Sequence, residues 1–123
     1  MQKWGLYRIH HTECQVPHDK YCICICPDNG WFFFINTEPP AARKARELAV
    51  LVSADQITPL SHTSYIDTTF LIRMNIDAVE AAAQNPSCDY GQISPTLRAE
   101  IVSTVMSHNV LIDEHRYLVT HDE

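Results

Sequence analysis

Two apolar runs separated by a short turn decide the local fold: Lys20–Cys26 reads KYCICIC, Pro27–Gly30 reads PDNG and Trp31–Ile35 reads WFFFI. Both runs are rich in β-branched or aromatic residues, which favour strands. Asn29 and Gly30 tolerate the positive φ angles that tight turns require. The stretch therefore predicts a β-hairpin.

Further strand signals lie on both sides of this hairpin. The sequence predicts strands over Trp4–His10, Leu48–Val52 and Ser64–Ile72, and a loop over Thr12–Asp19.

Helix signals begin after Asn75. Residues 76–83 have high helix propensity and stop before Pro86. Ser94 and Pro95 are typical of a helix start, and an apolar residue recurs every fourth position in the helix that follows, at Leu97, Ile101 and Val105. A shorter helix is expected near Asp113. Strands followed by helices indicate an α+β fold, with a small antiparallel sheet or half-open barrel covered by helices.

Length and composition describe one globular domain over residues 1–123. The chain has 123 residues, of which 46% are hydrophobic and 20% charged. No stretch approaches the roughly 20 apolar residues that span a bilayer, and the N-terminus does not resemble a signal peptide, so we expect a cytosolic protein. The net charge of −6 argues against a surface coated in Lys and Arg for non-specific nucleic-acid binding, but allows a small basic site.

The cysteines indicate a core rather than a disulfide framework. Their number, five, is odd, and Cys22, Cys24 and Cys26 alternate along one predicted strand. They would share one face of that strand, where thiols pack as small hydrophobic groups. Another hypothesis is a zinc site in the loop, with His11, Cys14 and His18 as ligands.

Polar residues meet at one end of the predicted hairpin. If its strands pair across the turn, Lys20 begins one strand near the point where Asn36 and Thr37 leave the other, with His18 close in sequence. An ammonium, an amide and a hydroxyl at one sheet end could bind a phosphate, stabilise its developing charge and help activate a 2′-hydroxyl without a metal.

The dense basic cluster is Arg43, Lys44 and Arg46, which we expect in a loop. Its simplest interpretation is a solvated surface. The alternative is a patch that positions the phosphates of a nucleic acid.

Short motifs in this order resemble the PemK/MazF-like toxin family of bacterial toxin–antitoxin systems, from roughly Asp19 to Leu111. Lys20–Ile25 takes the place of that family's Arg-Pro and apolar strand, and Trp31–Thr37 is similar to its second apolar strand ending in Ile-Thr. Ser64–Leu71 resembles its Asp-Ser-Val-Ile strand, and Gly91–Ser94 resembles the Gly-x-Leu-Ser that opens its last helix.

The resemblance implies an SH3-like barrel with C-terminal helices, and a homodimeric, metal-independent endoribonuclease without a cofactor. Its substrate would be single-stranded RNA, and an antitoxin protein would control it. The family arginine maps to Lys20, and the family threonine maps to Asn36 or, with a one-residue slip, to Thr37. Lysine keeps the charge but lacks the bidentate guanidinium. His18 is then the candidate acid or base, and Arg43, Lys44 and Arg46 would hold the RNA backbone.

The alternative is a catalytically inactive binding or interaction module of the same fold. Lys20 in place of the expected arginine favours it.

Overall fold

The computed structural model describes residues 1–11, 18–57, 60 and 62–121. Strands and helices follow one another along the chain as β1 (Gly5–His11), β2 (His18–Cys26), β3 (Trp31–Asn36), α1 (Arg43–Glu47), β4 (Val50–Val52), β5 (Ser64–Ile66), β6 (Ile72–Arg73), α2 (Ile76–Gln84), β7 (Asp89–Gln92), α3 (Pro95–Met106) and α4 (Asp113–Thr120).

The predicted hairpin is confirmed as β2 and β3. Cys22 pairs with Phe34 and Cys24 with Phe32 in an antiparallel ladder. Gly30 closes the turn with a φ of 73°, and its N–H donates to the Cys26 carbonyl at 2.9 Å. The positive φ is the reason that a glycine ends this turn.

The described strands form one antiparallel sheet of seven strands that curls into a half-barrel, in the order β4-β5-β3-β2-β1-β7. The sixth strand, β6, pairs with β3 beyond the end of β5, so β5 and β6 share one side of β3. Sheet and helices together confirm the predicted α+β class.

One predicted strand is wrong. The expected strand Ser64–Ile72 is divided into β5 and β6 by a turn at Asp67. Asp67 Oδ1 accepts from the backbone N–H of Thr69 at 2.9 Å and also from the Thr69 hydroxyl. A side chain that satisfies the backbone locally competes with the strand ladder, which explains the break.

The sheet is buried on both faces, which explains the unbroken apolar run in β2. On one face Ile23 and Ile25 pack in a core with residues of α3 and α4. On the other face Cys22 and Cys24, both fully buried, pack with Phe32 and with residues of α2. The predicted core role of these two thiols is confirmed, and Cys26 is half-buried.

The helix predictions after Asn75 are confirmed. The Asn75 side chain caps α2 by accepting from two backbone N–H groups, and the Ser94 hydroxyl caps α3 by accepting from the Leu97 N–H. The apolar stripe of α3 is buried. Among the described helices, none is long and apolar enough to cross a membrane.

The basic cluster Arg43, Lys44 and Arg46 lies in helix α1 and not, as predicted, in a loop. The sequence there is rich in good helix formers. Ala45 is the buried residue of this helix and anchors it, so the charged side chains lie on its exposed surface.

Candidate functional site

The structure brings Lys20 and Asn36 together at one end of the hairpin. Tyr21 pairs with Ile35, which places Lys20 and Asn36 next to each other in the β2–β3 ladder. Lys20 Nζ donates to Asn36 Oδ1 at 3.0 Å. The contact is only partly buried, so a ligand can reach both the Lys20 and the Asn36 side chains.

The Lys20 side chain is held over an aromatic ring. Its ammonium lies 5.6 Å from the centre of the Phe34 ring, a distance at which a cation is attracted to the ring face. Phe34 packs on the core beneath, so the ammonium has a well-defined position.

Both polar groups keep hydrogen-bonding capacity. An ammonium has three donors, and one is used on Asn36. The Asn36 Nδ2 group makes no hydrogen bond to any described residue, and none of the described carboxylates forms an ion pair with Lys20. The pair therefore presents several donors and a net positive charge, which suits an anionic oxygen.

Tyr65, which sequence reasoning did not select, extends this site. Asn36 pairs with Tyr65 of β5, and Tyr65 pairs with Leu51 of β4. Ile9 of β1 pairs with Lys20 on the other side. Directly paired residues lie on the same face of a sheet, so Ile9, Lys20, Asn36, Tyr65 and Leu51 form one cross-strand row. The predicted strand Ser64–Ile72 was the available signal, but the sequence did not indicate which strand it would pair with or in which register.

The other predicted site residues are placed less closely. Thr37 is exposed and lies just past the end of β3, so it is Asn36 that contacts Lys20. His18 is the first residue of β2 and pairs with His11 of β1. The His18 side chain lies outside the described part of the structure.

Two of the three cations in α1 have local partners. Arg43 Nε lies 3.3 Å from Glu47 Oε1, and the Arg46 guanidinium donates to the carbonyls of Pro40 and Ala41 at 3.3 and 2.5 Å. Lys44 is exposed and forms no hydrogen bond or ion pair with a described residue. Of this cluster, Lys44 is the cation most available to a phosphate.

A buried histidine forms a second polar network. His108 Nδ1 accepts from the Val110 N–H at 3.2 Å, which requires that Nδ1 carries no proton. The neutral ring then carries its proton on Nε2, which lies 3.1 Å from Thr68 Oγ1, and the Thr68 hydroxyl donates to the Leu48 carbonyl at 2.7 Å.

This network favours the neutral imidazole. Burial lowers the pKa of His108, and the nearby cations Arg116 and Lys44 lower it further, whereas the Asp67 carboxylate acts in the opposite direction. Every polar atom of the network already has a protein partner, so the network is a structural tie between the segment that follows α3 and the turn at Asp67.

The described residues contain no group of three or more His, Cys, Asp or Glu side chains placed to hold a metal. Of the hypothetical ligands, Cys14 and the side chains of His11 and His18 lie outside the described residues. Burial raises the pKa of Cys24 to about 12 and the pKa of Cys22 further, so these thiols stay protonated.

No protein-family model, curated protein or solved structure matches the chain. The function is therefore inferred from the geometry of the site and from the motifs of the sequence.

Proposed function

We propose that the protein is a toxin-type, metal-independent endoribonuclease that acts on single-stranded RNA. The observation that carries the proposal is the Lys20–Asn36 contact at 3.0 Å, at the sheet end where the family resemblance requires its phosphate-binding residues. The SH3-like barrel, the homodimer and the controlling antitoxin belong to the same proposal, and the resemblance alone supports them.

The proposed reaction is transfer of the phosphoryl group to the neighbouring ribose hydroxyl. The 2′-oxygen bonds to phosphorus and gives up its proton, the bond from phosphorus to the 5′-oxygen breaks, and that oxygen takes a proton. The products are a 2′,3′-cyclic phosphate and a 5′-hydroxyl, without an added water or metal.

Each residue of the site has a role in this scheme. The Lys20 ammonium stabilises the charge that develops on the phosphate oxygens. Because Asn36 uses Oδ1 to hold Lys20, its Nδ2 donors are left to orient the phosphate, with the Thr37 hydroxyl beside them in sequence. His18 is the proposed group for proton transfer.

Binding of the RNA backbone would be electrostatic and local. Lys44 is the principal phosphate contact in α1, since Arg43 and Arg46 have partners within the protein. Such binding is expected to weaken with added salt, and the slope of log affinity against log salt should be about 0.7 for each phosphate contact.

The test is cleavage of a long unstructured RNA by the purified protein in excess EDTA. Wild type should produce discrete fragments with cyclic phosphate ends, and Lys20→Ala should lose about 100-fold or more in rate, the usual cost of removing one charge-stabilising donor. Lys20→Arg, which keeps the charge and adds a guanidinium, should retain activity, and Lys44→Gln should weaken binding more than turnover. Equal cleavage by wild type and Lys20→Ala would remove Lys20 from the site.

A second candidate function is the non-catalytic binding module, supported by an open sheet edge. In the described sheet β4 pairs with β5 alone, and its central residue Leu51 is 58% exposed. A groove of about 820 Å³ runs between β4 and α3. An extended segment of a partner protein could pair with this edge. A folded sample that is inert toward RNA would favour this function.

A further inference from the structure

From the cross-strand row we infer that Tyr65, with Leu51 beside it, is the subsite for a nucleobase of the RNA whose phosphate lies at Lys20 and Asn36. This inference rests on the proposed function and adds to it a residue that binds a base. From Lys20 to Leu51 the row changes from charged, through polar and aromatic, to apolar, as a nucleotide changes from phosphate to base.

The register fixes the separation of the two parts. Asn36 and Tyr65 are direct partners, with Cα atoms about 5 Å apart in such ladders. Lys20 lies one strand further, so its Cα is about 10 Å from that of Tyr65 at the usual strand spacing. One nucleotide can cover this span, with its phosphate at the ammonium and its base on the ring.

The Tyr65 end of the row is accessible. On the face that carries the row, helix α2 packs on β1 and β7, and no described helix packs on β5. Helix α3 contacts β4, but it belongs to the core on the opposite face of the sheet. The Tyr65 ring is half-buried, and its hydroxyl forms no hydrogen bond to a described residue. Leu51, its neighbour on β4, is among the most exposed large apolar side chains.

An aromatic ring next to a cationic phosphate site is the combination that single-stranded nucleic acids require. The cation binds the backbone, and the ring stacks on a base at a gain of about 1–3 kcal/mol for each base. Leu51 extends the apolar surface under the base. A second phosphate at Tyr65 is disfavoured, since neither Tyr65 nor Leu51 carries a charge.

The experiment measures binding of a labelled, 2′-O-methylated single-stranded RNA, which cannot be cleaved, by fluorescence anisotropy. Tyr65→Leu should weaken binding about 5- to 150-fold, which corresponds to the loss of one stacked base. Tyr65→Phe keeps the ring and should bind within about twofold of wild type. The control is Tyr117→Leu, an exposed tyrosine on α4, on the opposite side of the sheet, which should not change binding.

Salt dependence separates stacking from charge. Lys20→Ala should lower the slope of log affinity against log salt by about 0.7, the value for one phosphate contact with a single strand. Tyr65→Leu should weaken binding with the slope unchanged. Should Tyr65→Leu fail to fold, Tyr65→Thr replaces it, since threonine keeps the strand propensity and lacks the ring.

The outcomes distinguish this inference from the proposed function. If wild type binds and cleaves RNA while Tyr65→Leu binds equally well, the base subsite is wrong and the ribonuclease stands. If Tyr65→Phe weakens binding as much as Tyr65→Leu, the hydroxyl and not the ring makes the contact, which also overturns the inference. If wild type neither binds nor cleaves single-stranded RNA, both fail.

Discussion

Replacing Thr68 by valine tests the buried network that joins the segment after α3 to the turn at Asp67. Thr68 is fully buried, and its hydroxyl bonds both His108 Nε2 and the Leu48 carbonyl. Valine has nearly the same shape but no hydroxyl, so it leaves both groups without their partner. The substitution therefore removes hydrogen bonds without making a cavity.

The expected loss of stability follows from the burial of the two groups. A buried donor or acceptor left unsatisfied costs about 1–3 kcal/mol, with the larger value for the more buried group. The His108 contact is buried and the Leu48 contact is partly buried, so we expect the free energy of unfolding to fall by about 2–3 kcal/mol. For a chain of this size that corresponds to a decrease of about 10 °C in Tm.

The assay is urea unfolding followed by circular dichroism at pH 7.5, with thermal unfolding as the second measurement. Thr68→Ser keeps the hydroxyl and should recover most of the lost stability. Thr63→Val is the matched control, because Thr63 is exposed, and it should change the free energy of unfolding by less than about 0.5 kcal/mol. A Thr68→Val protein as stable as the Thr63→Val protein would refute the network.

Two further predictions concern titratable groups. The pKa of His108 is lower in the folded protein than its usual value of about 6.5, so below that pH the unfolded chain binds a proton that the native ring does not, and native stability should fall as the pH decreases. The free energy of unfolding cannot fall by more than about 1.4 kcal/mol per pH unit through this one group, and the fall should disappear in His108→Gln. Urea unfolding at pH 7.5, 6.0 and 5.0 measures it. An unchanged pH dependence in His108→Gln would show that another group is responsible. Burial raises the pKa of Cys22 and Cys24, so brief iodoacetamide treatment of the native protein at pH 8 should leave both unmodified. Cys26 and Cys88, which are half-buried, should react before them, and mass spectrometry identifies the modified sites. Early modification of Cys22 would show that its face of the sheet opens.

Local chemistry explains why much of the fold could be predicted. The hairpin depends on two strand-forming runs and a turn that ends in Gly30, and α3 depends on the Ser94 cap and its apolar stripe. These signals involve only a few neighbouring residues, so they can be recognised without knowing how the rest of the chain folds. The same holds for the alternating faces of β2, since side chains of any strand alternate.

The errors arose where polar side chains bond to nearby backbone groups. The segment after Ser64 has strand-forming residues throughout, yet the Asp67 carboxylate turns the chain and lets β5 and β6 pair with different parts of β3. Arg46 similarly bonds the carbonyls that precede α1, which its charge alone does not indicate. In both cases a side chain satisfies backbone groups that a pattern of hydrophobicity does not record.

The candidate site also combines contacts that the sequence predicted with contacts that only the structure shows. By itself the sequence predicted that Lys20 would lie near Asn36 and Thr37, because a short turn brings the outer ends of the two hairpin strands together. The structure decided that Asn36 makes the contact. Only the tertiary structure decided that Tyr65 lies beside Asn36, and that His108 meets Thr68 across 40 positions of the chain. Periodicity shows which face a residue occupies, whereas the neighbours on that face depend on how distant strands are brought into register.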